Sequence, residues 1–246
     1  MAARGRGQGR RPLSGRRADR YRPDQSVPGQ RLFVGVPLPH EAASEIESIV
    51  EGVRAMPLAE GARDVRWVRL DGLHLTLRFL GPTLPDRVDA TVDAVARAAR
   101  SAPGPFEIEL AGAGSFPPGR RPRTLWIGLE AGAEPLGDLA RSTQTALQEA
   151  GWPAEERPFR PHLTVARSDG VAAGAMVADR LATTMADRRI RCEIDRLGLF
   201  ESITGGGPAR YVPVALFALG GSRGADDDVY HQRAPDLSEV EFRIDS

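Results

Sequence analysis

Two copies of one short motif constrain this chain more than any other feature. His-Leu-Thr-Leu begins at His74 and His-Leu-Thr-Val begins at His162, so the two copies hold two of the chain's four histidines. Successive side chains of an extended strand point to opposite faces, so residues two positions apart share a face. His74 therefore shares a face with Thr76, and His162 with Thr164. The leucine and valine positions between and after them face the other way. The motifs therefore predict two strands, each apolar behind and carrying an imidazole and a hydroxyl in front.

The composition allows a substantial core and excludes several classes of protein. The chain has 246 residues, 41% of them hydrophobic, which suffices for one large domain or two packed halves. The formal net charge is zero and every basic residue is arginine, so overall charge does not indicate a nucleic-acid partner. Cys192 is the single cysteine, which excludes an internal disulfide framework and a multi-cysteine zinc site. No apolar run approaches the roughly 20 residues of a membrane span. We expect a cytoplasmic monomer with no membrane partner.

The two ends of the chain differ in composition from its middle. Residues 1–30 are rich in arginine, glycine and proline, and residues 221–246 are acidic. Neither segment can bury a core, so both are predicted to be disordered. Residues 31–220 are therefore expected to form the folded domain.

Within residues 31–220, short apolar runs alternate with stretches of helical periodicity, which predicts an α+β fold. Strands with short connections, at 106–129 and 191–219, favour antiparallel pairing. The motif histidines are 88 residues apart, and a similar order of elements surrounds each, which predicts two similar halves. The predicted strands are 32–38, 65–70, 73–80, 106–110, 124–129, 162–166, 191–200 and 209–219, and the predicted helices are 41–54, 86–100, 135–150 and 171–187.

The motif side chains have the chemistry of a phosphodiester site. A neutral imidazole can take a proton from water while a protonated one gives a proton to a departing oxygen, since histidine titrates around 6.5. Threonine hydroxyls can donate hydrogen bonds to phosphate oxygens. This scheme requires no metal, and the motifs lack the carboxylates and additional histidines of a zinc or two-metal site. We expect both motifs to line a single cleft that binds one phosphate.

The two motifs and their surroundings resemble the two-histidine phosphoesterase superfamily. Within it, the chain is similar to the RNA 2',3'-cyclic phosphodiesterases of the LigT type, also known as 2'-5' RNA ligases. The segments that carry the resemblance are 66–68, 73–81, 159–167, 33–36, 112–116, 125–129, 197–202 and 211–219.

This resemblance implies a bilobal α+β fold in which two antiparallel sheets, related by a pseudo-twofold repeat, face each other across a central cleft with the helices outside. It implies hydrolysis of RNA or nucleotide 2',3'-cyclic phosphate ends to 2'-phosphomonoesters, without a cofactor. By motif position, His74 would be the proton donor and His162 the proton acceptor. Thr76 and Thr164 would bind the phosphate.

Four further residues are candidate substrate contacts. Strand alternation places Arg78 on the face of His74, and places Arg160 with the second motif if the strand continues through Pro161. Arg167 has the opposite parity and is a candidate only through the resemblance. For each arginine, an ordinary solvent-facing role is the alternative. Phe116 follows a glycine-rich strand and is a candidate for contact with a base.

The tryptophans Trp67 and Trp126 lie in predicted strands and are expected in the core.

Two other functions remain open at this stage. A module that binds RNA or nucleotides without turnover would not require two proton-transfer groups, so the intact motifs disfavour it. Ligation to form 2'-5' linkages is ranked as a side activity, because no nucleotide-activating lysine motif is present.

Overall fold

The computed structural model describes residues 29–56, 65–168, 173–205 and 207–221. The predicted basic arm and acidic tail lie outside these ranges, apart from their innermost residues, and stay predictions. Among the described helices, none combines the length and the apolar character needed to cross a membrane.

The described residues form nine strands and four helices, in an order close to the predicted one. The second predicted strand is shorter than expected, because a 3-10 turn at Leu70–Gly72 follows it. The strands are β1 (Gln30–Pro37), β2 (Arg66–Trp67), β3 (His74–Thr83), β4 (Phe106–Phe116), β5 (Thr124–Ala131), β6 (Leu163–Arg167), β7 (Arg189–Ile194), β8 (Arg196–Ile203) and β9 (Arg210–Ala218), and the helices are α1 (His40–Ala55), α2 (Pro85–Ser101), α3 (Ala133–Glu149) and α4 (Ala173–Met185).

Helix α2 illustrates how the local sequence sets these bounds. It begins with Pro85, whose fixed φ suits the first helical position and whose missing N–H would have no intrahelical acceptor there. Buried residues recur at helical spacing along it, from Thr91 through Val95 to Ala98. One face of the helix therefore packs on the core and the opposite face remains in solvent.

The strands pair antiparallel in the order β7-β4-β5-β6-β3-β1-β8-β9, with β2 added beside β6. The α+β class and the antiparallel pairing are confirmed. The two expected sheets are the two halves of one continuous sheet, β7-β4-β5-β6 and β3-β1-β8-β9. The pairing of Leu75 with Leu163 joins the halves between β3 and β6.

The predicted repeat is visible in the order of elements. A strand, a helix, a motif strand and another helix occur as β1, α1, β3 and α2, and again as β5, α3, β6 and α4. Each motif strand forms the inner edge of its half of the sheet. The two motifs therefore meet where the halves join.

The strand predicted at 191–200 is wrong as a single element, because the chain changes halves at Asp195. Strand β7 pairs with β4 at one end of the sheet, whereas β8 pairs with β1 in the other half. In β7 the buried Ile190 and Ile194 alternate with polar residues, while Leu197–Phe200 of β8 form a continuously buried run. The change in burial pattern marks two strands with different surroundings.

The helices and the sheet enclose one hydrophobic cluster. Leu75 and Leu163, the leucines behind the two histidines, are fully buried in it. All four helices contribute to the same cluster, for example through Ile46, Val95, Leu139 and Leu181. Because one face of each motif strand packs against the core, the histidines and threonines lie on the other face.

Candidate active site

The pairing of Leu75 with Leu163 determines how the two motifs lie relative to each other. In an antiparallel pair, this register puts His74 beside Thr164 and Thr76 beside His162. Residues opposite each other on such a pair have Cβ atoms about 4.5–5.5 Å apart. The four motif side chains therefore form a compact group on one face, with each imidazole next to a hydroxyl from the other half.

Both imidazoles are held in the same way by the backbone. Nδ1 of His74 lies 2.7 Å from the carbonyl oxygen of Gly72, and Nδ1 of His162 lies 2.7 Å from that of Arg160. A carbonyl oxygen can only accept, so Nδ1 donates in both rings. Nε2 is left as the nitrogen that exchanges protons, and its lone pair is available when the ring is neutral.

Aromatic rings surround His74. Its ring stacks on Phe33 with centroids 4.5 Å apart and meets the edge of Tyr211 at 4.7 Å. The pKa of His74 is lowered to about 4, chiefly by this burial; the hydrogen bond to Gly72 opposes the shift and the Arg167 cation contributes to it. The His74 imidazole is neutral at neutral pH in the free protein.

His162 has a more open environment. Its one described ring contact is an edge-to-face packing with Phe116, with centroids 5.1 Å apart. Burial lowers the pKa of His162 from its ordinary value, and Arg167 again lowers it while the bond to the Arg160 carbonyl raises it. Arg167 therefore acts electrostatically on both imidazoles, which places its cation near both motifs.

A β-bulge follows the threonine of each motif. In β3, Thr76 pairs with Gly35 and the next pair joins Arg78 to Val34, so Leu77 is the extra residue. In β6, Thr164 pairs with Trp126 and Ala166 pairs with Leu125, so the extra residue is the one between them. A single extra residue reverses the alternation of the strand beyond it.

Because of the bulges, two arginines have orientations that differ from the predicted ones. Arg167 faces the cleft with His74, Thr76 and Thr164, although its parity predicted the opposite face. Arg78, predicted to lie on the face of His74 and Thr76, is only 8% exposed.

The contacts of Arg78 show what this arginine does instead. Its Nη1 lies 3.0 Å from Oε2 of Glu155, and its Nη2 donates to the Pro153 carbonyl oxygen at 2.8 Å. It borders the larger groove described below, but its guanidinium already holds the chain segment that leads to the second motif. The solvent-facing alternative for Arg78 is wrong, and a contact between Arg78 and the substrate stays a prediction.

A small cavity lies against the first motif. It has a volume of about 20 Å³, and its polar wall consists of His74, Thr76, Thr164 and Arg167. A space of this size holds about one water molecule. A single oxygen atom, of a phosphate or of a water, therefore fits into the cavity that these side chains line.

A larger groove of about 990 Å³ adjoins it and contains His162. The expectation of one shared pocket is thus replaced by two adjoining cavities, and Thr76 and Phe79 line both of them. Arg160 and Phe116, two of the predicted substrate contacts, border the larger groove. Arg160 is exposed there, and its carbonyl orients His162.

The core prediction holds for one tryptophan and is wrong for the other. Trp67 packs against the hydrophobic core. Trp126 is paired with Thr164 on the ladder and packs against Phe116, with ring centroids 5.1 Å apart. It supports the Phe116 ring that in turn contacts His162.

Two residues of the site were missed by the sequence analysis. Phe79 is 54% exposed and lines both cavities, and the bulge at Leu77 brings it to this face. Tyr211 lines the smaller cavity from β9 and packs on His74. An aromatic residue two positions after the first motif was the only sequence signal for Phe79, and no motif marks Tyr211.

Within the described ranges, no three histidine, cysteine, aspartate or glutamate side chains are grouped so that they could hold a metal ion.

Comparison with known proteins identifies the family of the chain and similar structures. Residues 36–206 match the 2'-5' RNA ligase superfamily. The chain is 30% identical over 190 residues to an RNA 2',3'-cyclic phosphodiesterase of Escherichia coli, covering 77% of this chain and 97% of that protein. A protein of the same name from Geobacillus stearothermophilus is 35% identical over 137 residues, and the match spans 55% of this chain and 41% of that protein. Among solved structures, E. coli LigT complexed with 3'-AMP is similar with a TM-score of 0.59 and 26% identity, over 78% of this chain and 99% of that one.

Proposed function

The chain belongs to the 2'-5' RNA ligase superfamily, and we propose that it hydrolyses the 2',3'-cyclic phosphate ends of RNA or nucleotides to 2'-phosphomonoesters without a metal ion. The observation that carries this proposal is the group formed by His74, Thr76, His162 and Thr164 on one face of the sheet. In this proposal one phosphate lies where the two cavities adjoin, within reach of both imidazoles and both hydroxyls.

The reaction exchanges one phosphorus–oxygen bond for another. A water oxygen attacks the phosphorus, and the bond from phosphorus to the ribose 3' oxygen breaks. In the assignment implied by family resemblance, Nε2 of His162 takes the proton of the water and Nε2 of His74 gives a proton to the departing 3' oxygen. The product keeps the phosphate on the 2' oxygen, and the two imidazoles have exchanged protonation states.

The donor role of His74 requires the substrate to change its pKa. In the free protein burial holds that pKa at about 4, so the ring carries no acidic proton at neutral pH. A bound phosphate places negative charge beside the ring, which favours the imidazolium and raises the pKa. The proton that His74 gives up is then acquired together with the substrate anion.

The remaining polar groups serve the phosphate. Thr76 and Thr164 can donate hydrogen bonds to its non-bridging oxygens, and Arg167 supplies the cation that compensates their charge. The similar structure of E. coli LigT complexed with 3'-AMP supports a nucleotide as the ligand. For this chain, nucleotide binding is part of the proposal.

Hydrolysis of a nucleoside 2',3'-cyclic phosphate in excess EDTA tests the proposal. The expected product is the 2'-phosphate, identified by phosphorus NMR. His74→Ala and His162→Ala should each lower kcat/KM by about 10²- to 10⁴-fold, the range for loss of a general acid or base. His40→Ala is the matched control, because His40 is exposed at the start of α1 and lies in neither cavity. Wild-type rates in either motif variant would reject the mechanism.

The same assay separates the other two functions. A binding module would show saturable binding of the cyclic nucleotide with no 2'-phosphate formed. A ligase would convert cyclic-ended and 5'-hydroxyl oligonucleotides into a longer product, which gel electrophoresis resolves from the hydrolysed strand.

A further inference from the structure

Tyr211 of β9 packs on the first motif without belonging to it. We infer that Tyr211 is a positioning residue for His74: its ring holds the imidazole and the Gly72 carbonyl group together, so that the imidazole keeps the orientation in which it lines the small cavity. This inference rests on the function proposed above. It adds a residue that acts on the reaction through His74 and transfers no proton itself.

One hydrogen bond orients the His74 imidazole, and the Tyr211 side chain packs on both of its partners. The bond joins Nδ1 of His74 to the carbonyl oxygen of Gly72 over 2.7 Å. On one side, the centroid of the Tyr211 ring lies 4.7 Å from that of the imidazole, at an interplanar angle of 83°. On the other side, a Cβ added at Gly72 would lie 3.2 Å from Cδ2 and 3.5 Å from Cβ of Tyr211, so the tyrosine covers the Gly72 backbone. An imidazole that turns away from Gly72 therefore also changes its packing on Tyr211.

The position of Tyr211 relative to two other rings shows which motion it restricts. The imidazole stacks on Phe33 with centroids 4.5 Å apart, and the Tyr211 centroid lies 5.3 Å from that of Phe33 and 4.7 Å from that of His74. Because these three separations are similar, Tyr211 stands beside the stack of Phe33 and His74, nearly perpendicular to both rings. A stacked ring resists tilting of its neighbour but allows sliding within the plane of the stack. A perpendicular ring at the side of the stack blocks that sliding.

The turn that carries the Gly72 carbonyl needs support from its neighbours. It is a single 3-10 turn, Leu70–Gly72, and none of its residues is buried. The start of β9 lies near it in two ways. Tyr211 covers Gly72. The pKa of Asp71 is lowered chiefly by the hydrogen bond from Arg69, and the Arg210 cation, next to Tyr211 in β9, adds to the shift. Strand β9 therefore braces the residues immediately before the first motif.

The Tyr211 ring also keeps water from the imidazole. Tyr211 is half-buried and lines the small cavity, and β9 ends the order of described strands, so no further described strand separates it from solvent. The pKa of His74 is about 4 chiefly because the imidazole is buried. The other groups that act on it are Phe33 of β1, Phe200 of β8 and the Arg167 cation of β6, and all three stay when the Tyr211 ring is removed. Removal of the ring should therefore admit water beside the imidazole and raise its pKa.

Replacement of the ring tests the inference. In the hydrolysis of adenosine 2',3'-cyclic phosphate, we expect Tyr211→Leu to lower kcat at the maximum of its pH profile by about 10- to 100-fold, since misplacing a reacting group by about 1 Å costs up to about 10²-fold. KM should change by less than about threefold, because Thr76, Thr164 and Arg167 remain to bind the phosphate. Tyr211→Phe keeps the ring, so its kcat should stay within about twofold of wild type.

NMR titration separates positioning from a general loss of stability. Tyr211→Leu should raise the pKa of His74 above its value of about 4 and leave that of His162 unchanged, whereas Tyr211→Phe should leave both unchanged. The kcat/KM profile of Tyr211→Leu should accordingly have its maximum at higher pH. Phe217→Leu is the matched control, because it removes an aromatic ring from the same strand, but Phe217 is 7% exposed in the hydrophobic cluster and lines neither cavity. It should leave kcat and both titrations near wild type.

Gly72→Ala approaches the same contact from the other side. The added methyl group would press on the Tyr211 ring at 3.2 Å and displace it from the imidazole. We expect the same changes as in Tyr211→Leu, but smaller ones: a lower kcat and a raised pKa of His74. Since this variant keeps the tyrosine, it tests the contact even if Tyr211→Leu does not fold, and wild-type kcat and titration in Gly72→Ala would then overturn the inference.

The outcomes separate this inference from the proposed function. If Tyr211→Leu keeps the wild-type kcat and His74 titration, or if Tyr211→Phe or Phe217→Leu changes them as much, the ring does not position His74 and the proposed function stands. If the wild type hydrolyses no cyclic phosphate, the proposed function fails. The titrations need no turnover and then decide alone: a His74 pKa raised in Tyr211→Leu but not in Tyr211→Phe supports the inferred contact, and equal titrations overturn it.

Discussion

His74 and His162 each form a hydrogen bond to a backbone carbonyl, but their surroundings differ. His74 is enclosed by Phe33 and Tyr211, whereas His162 touches Phe116 and opens onto the larger groove. Both pKa values are lowered, chiefly by burial. The free protein is therefore prepared with two neutral bases, and one of them must gain a proton before it can act as an acid.

The pH dependence of kcat/KM should show that the pKa values of both histidines are lowered in the free protein. The proposed reaction needs one protonated and one neutral imidazole, so the profile should be bell-shaped and report the ionisations of the free protein. Because both pKa values lie below their ordinary value of 6.5, the maximum should fall on the acidic side of 6.5. At higher pH both rings are neutral and the acid is missing, while at lower pH both are protonated and the base is missing. The profile of kcat should be displaced to higher pH, and coincident profiles at or above pH 7 would contradict the lowered values.

Arg167 offers a direct test of the electrostatics. Its cation lowers the pKa of both His74 and His162. Arg167→Gln should therefore raise both values, measured by NMR titration of the imidazole carbon-bound protons, while it weakens phosphate binding. Arg191→Gln, on the remote strand β7, is the control and should leave both titrations unchanged. Unchanged histidine titrations in Arg167→Gln would place its guanidinium away from the motifs.

At the scale of single elements, the bulge after each threonine decides which side chains reach the cleft. The extra residues turn Phe79 and Arg167 toward the site and turn Arg78 toward Glu155 and Pro153. Arg78 thereby connects the first motif strand to the segment that leads into the second motif.

Removal of Arg78 should loosen that segment. Arg78→Met deletes the hydrogen bond to Pro153 and the ion pair with the partly exposed Glu155, and should lower the free energy of unfolding by about 1–3 kcal/mol. Urea denaturation measures the change. Arg157→Ala is the control, because its pairing with the same carboxylate is exposed and worth roughly 1 kcal/mol or less. Equal losses in the two variants would show that the buried contacts of Arg78 do not hold the segment.

Gly114 on β4 supports the aromatic wall by its lack of a side chain. A Cβ there would lie 2.6 Å from the ring of Trp126, which packs on Phe116. Gly114→Ala should therefore cost about 1–3 kcal/mol in unfolding free energy and displace the ring that contacts His162. Gly52→Ala is the matched substitution, since a Cβ at Gly52 meets nothing within 4 Å in helix α1. It should stabilise the protein by about 0.5–1 kcal/mol, and a loss in both variants would indicate that the clash is not the cause.

Strand alternation predicted part of this site and misplaced the rest for a physical reason. It grouped each histidine with its threonine, because the two are two positions apart with no bulge between them. It misplaced Arg78 and Arg167, because an extra residue in the ladder depends on how the neighbouring strand pairs and leaves no mark in the alternation of apolar residues. Tyr211 could not be predicted from the sequence. Strand β9 lies near His74 only because β9 pairs with β8 and β8 pairs with β1.

At the scale of the molecule, the order of elements, the α+β class and the repeat follow from sequence patterns, but the continuity of the sheet does not. Separate antiparallel halves were expected, and Leu75 and Leu163 instead join them into one sheet. Each half supplies one imidazole and one hydroxyl. The candidate active site therefore exists only where the halves meet.

Truncation of Leu75 or Leu163 should lower activity more than the loss of stability alone explains. Leu75→Ala and Leu163→Ala should each cost about 2–5 kcal/mol in unfolding free energy, with a double variant that is not additive, because the two residues are paired. Leu181→Ala, equally buried but on helix α4, is the control for stability alone. At a temperature where all variants are folded by circular dichroism, kcat/KM should fall in the joining variants and stay near wild type in Leu181→Ala. Equal activities would show that the motif geometry does not depend on this pair.

The position of the two bulges also bears on how such a protein can diverge. Each extra residue comes after the threonine, so insertions, deletions or substitutions farther along either strand can be absorbed there without rotating the imidazole and hydroxyl that precede it. Beyond the bulge, one half presents the phenyl ring of Phe79 and the other the guanidinium of Arg167. Side chains beyond the bulges can thus be exchanged, and the contacts with a ligand altered, while both motifs keep their geometry.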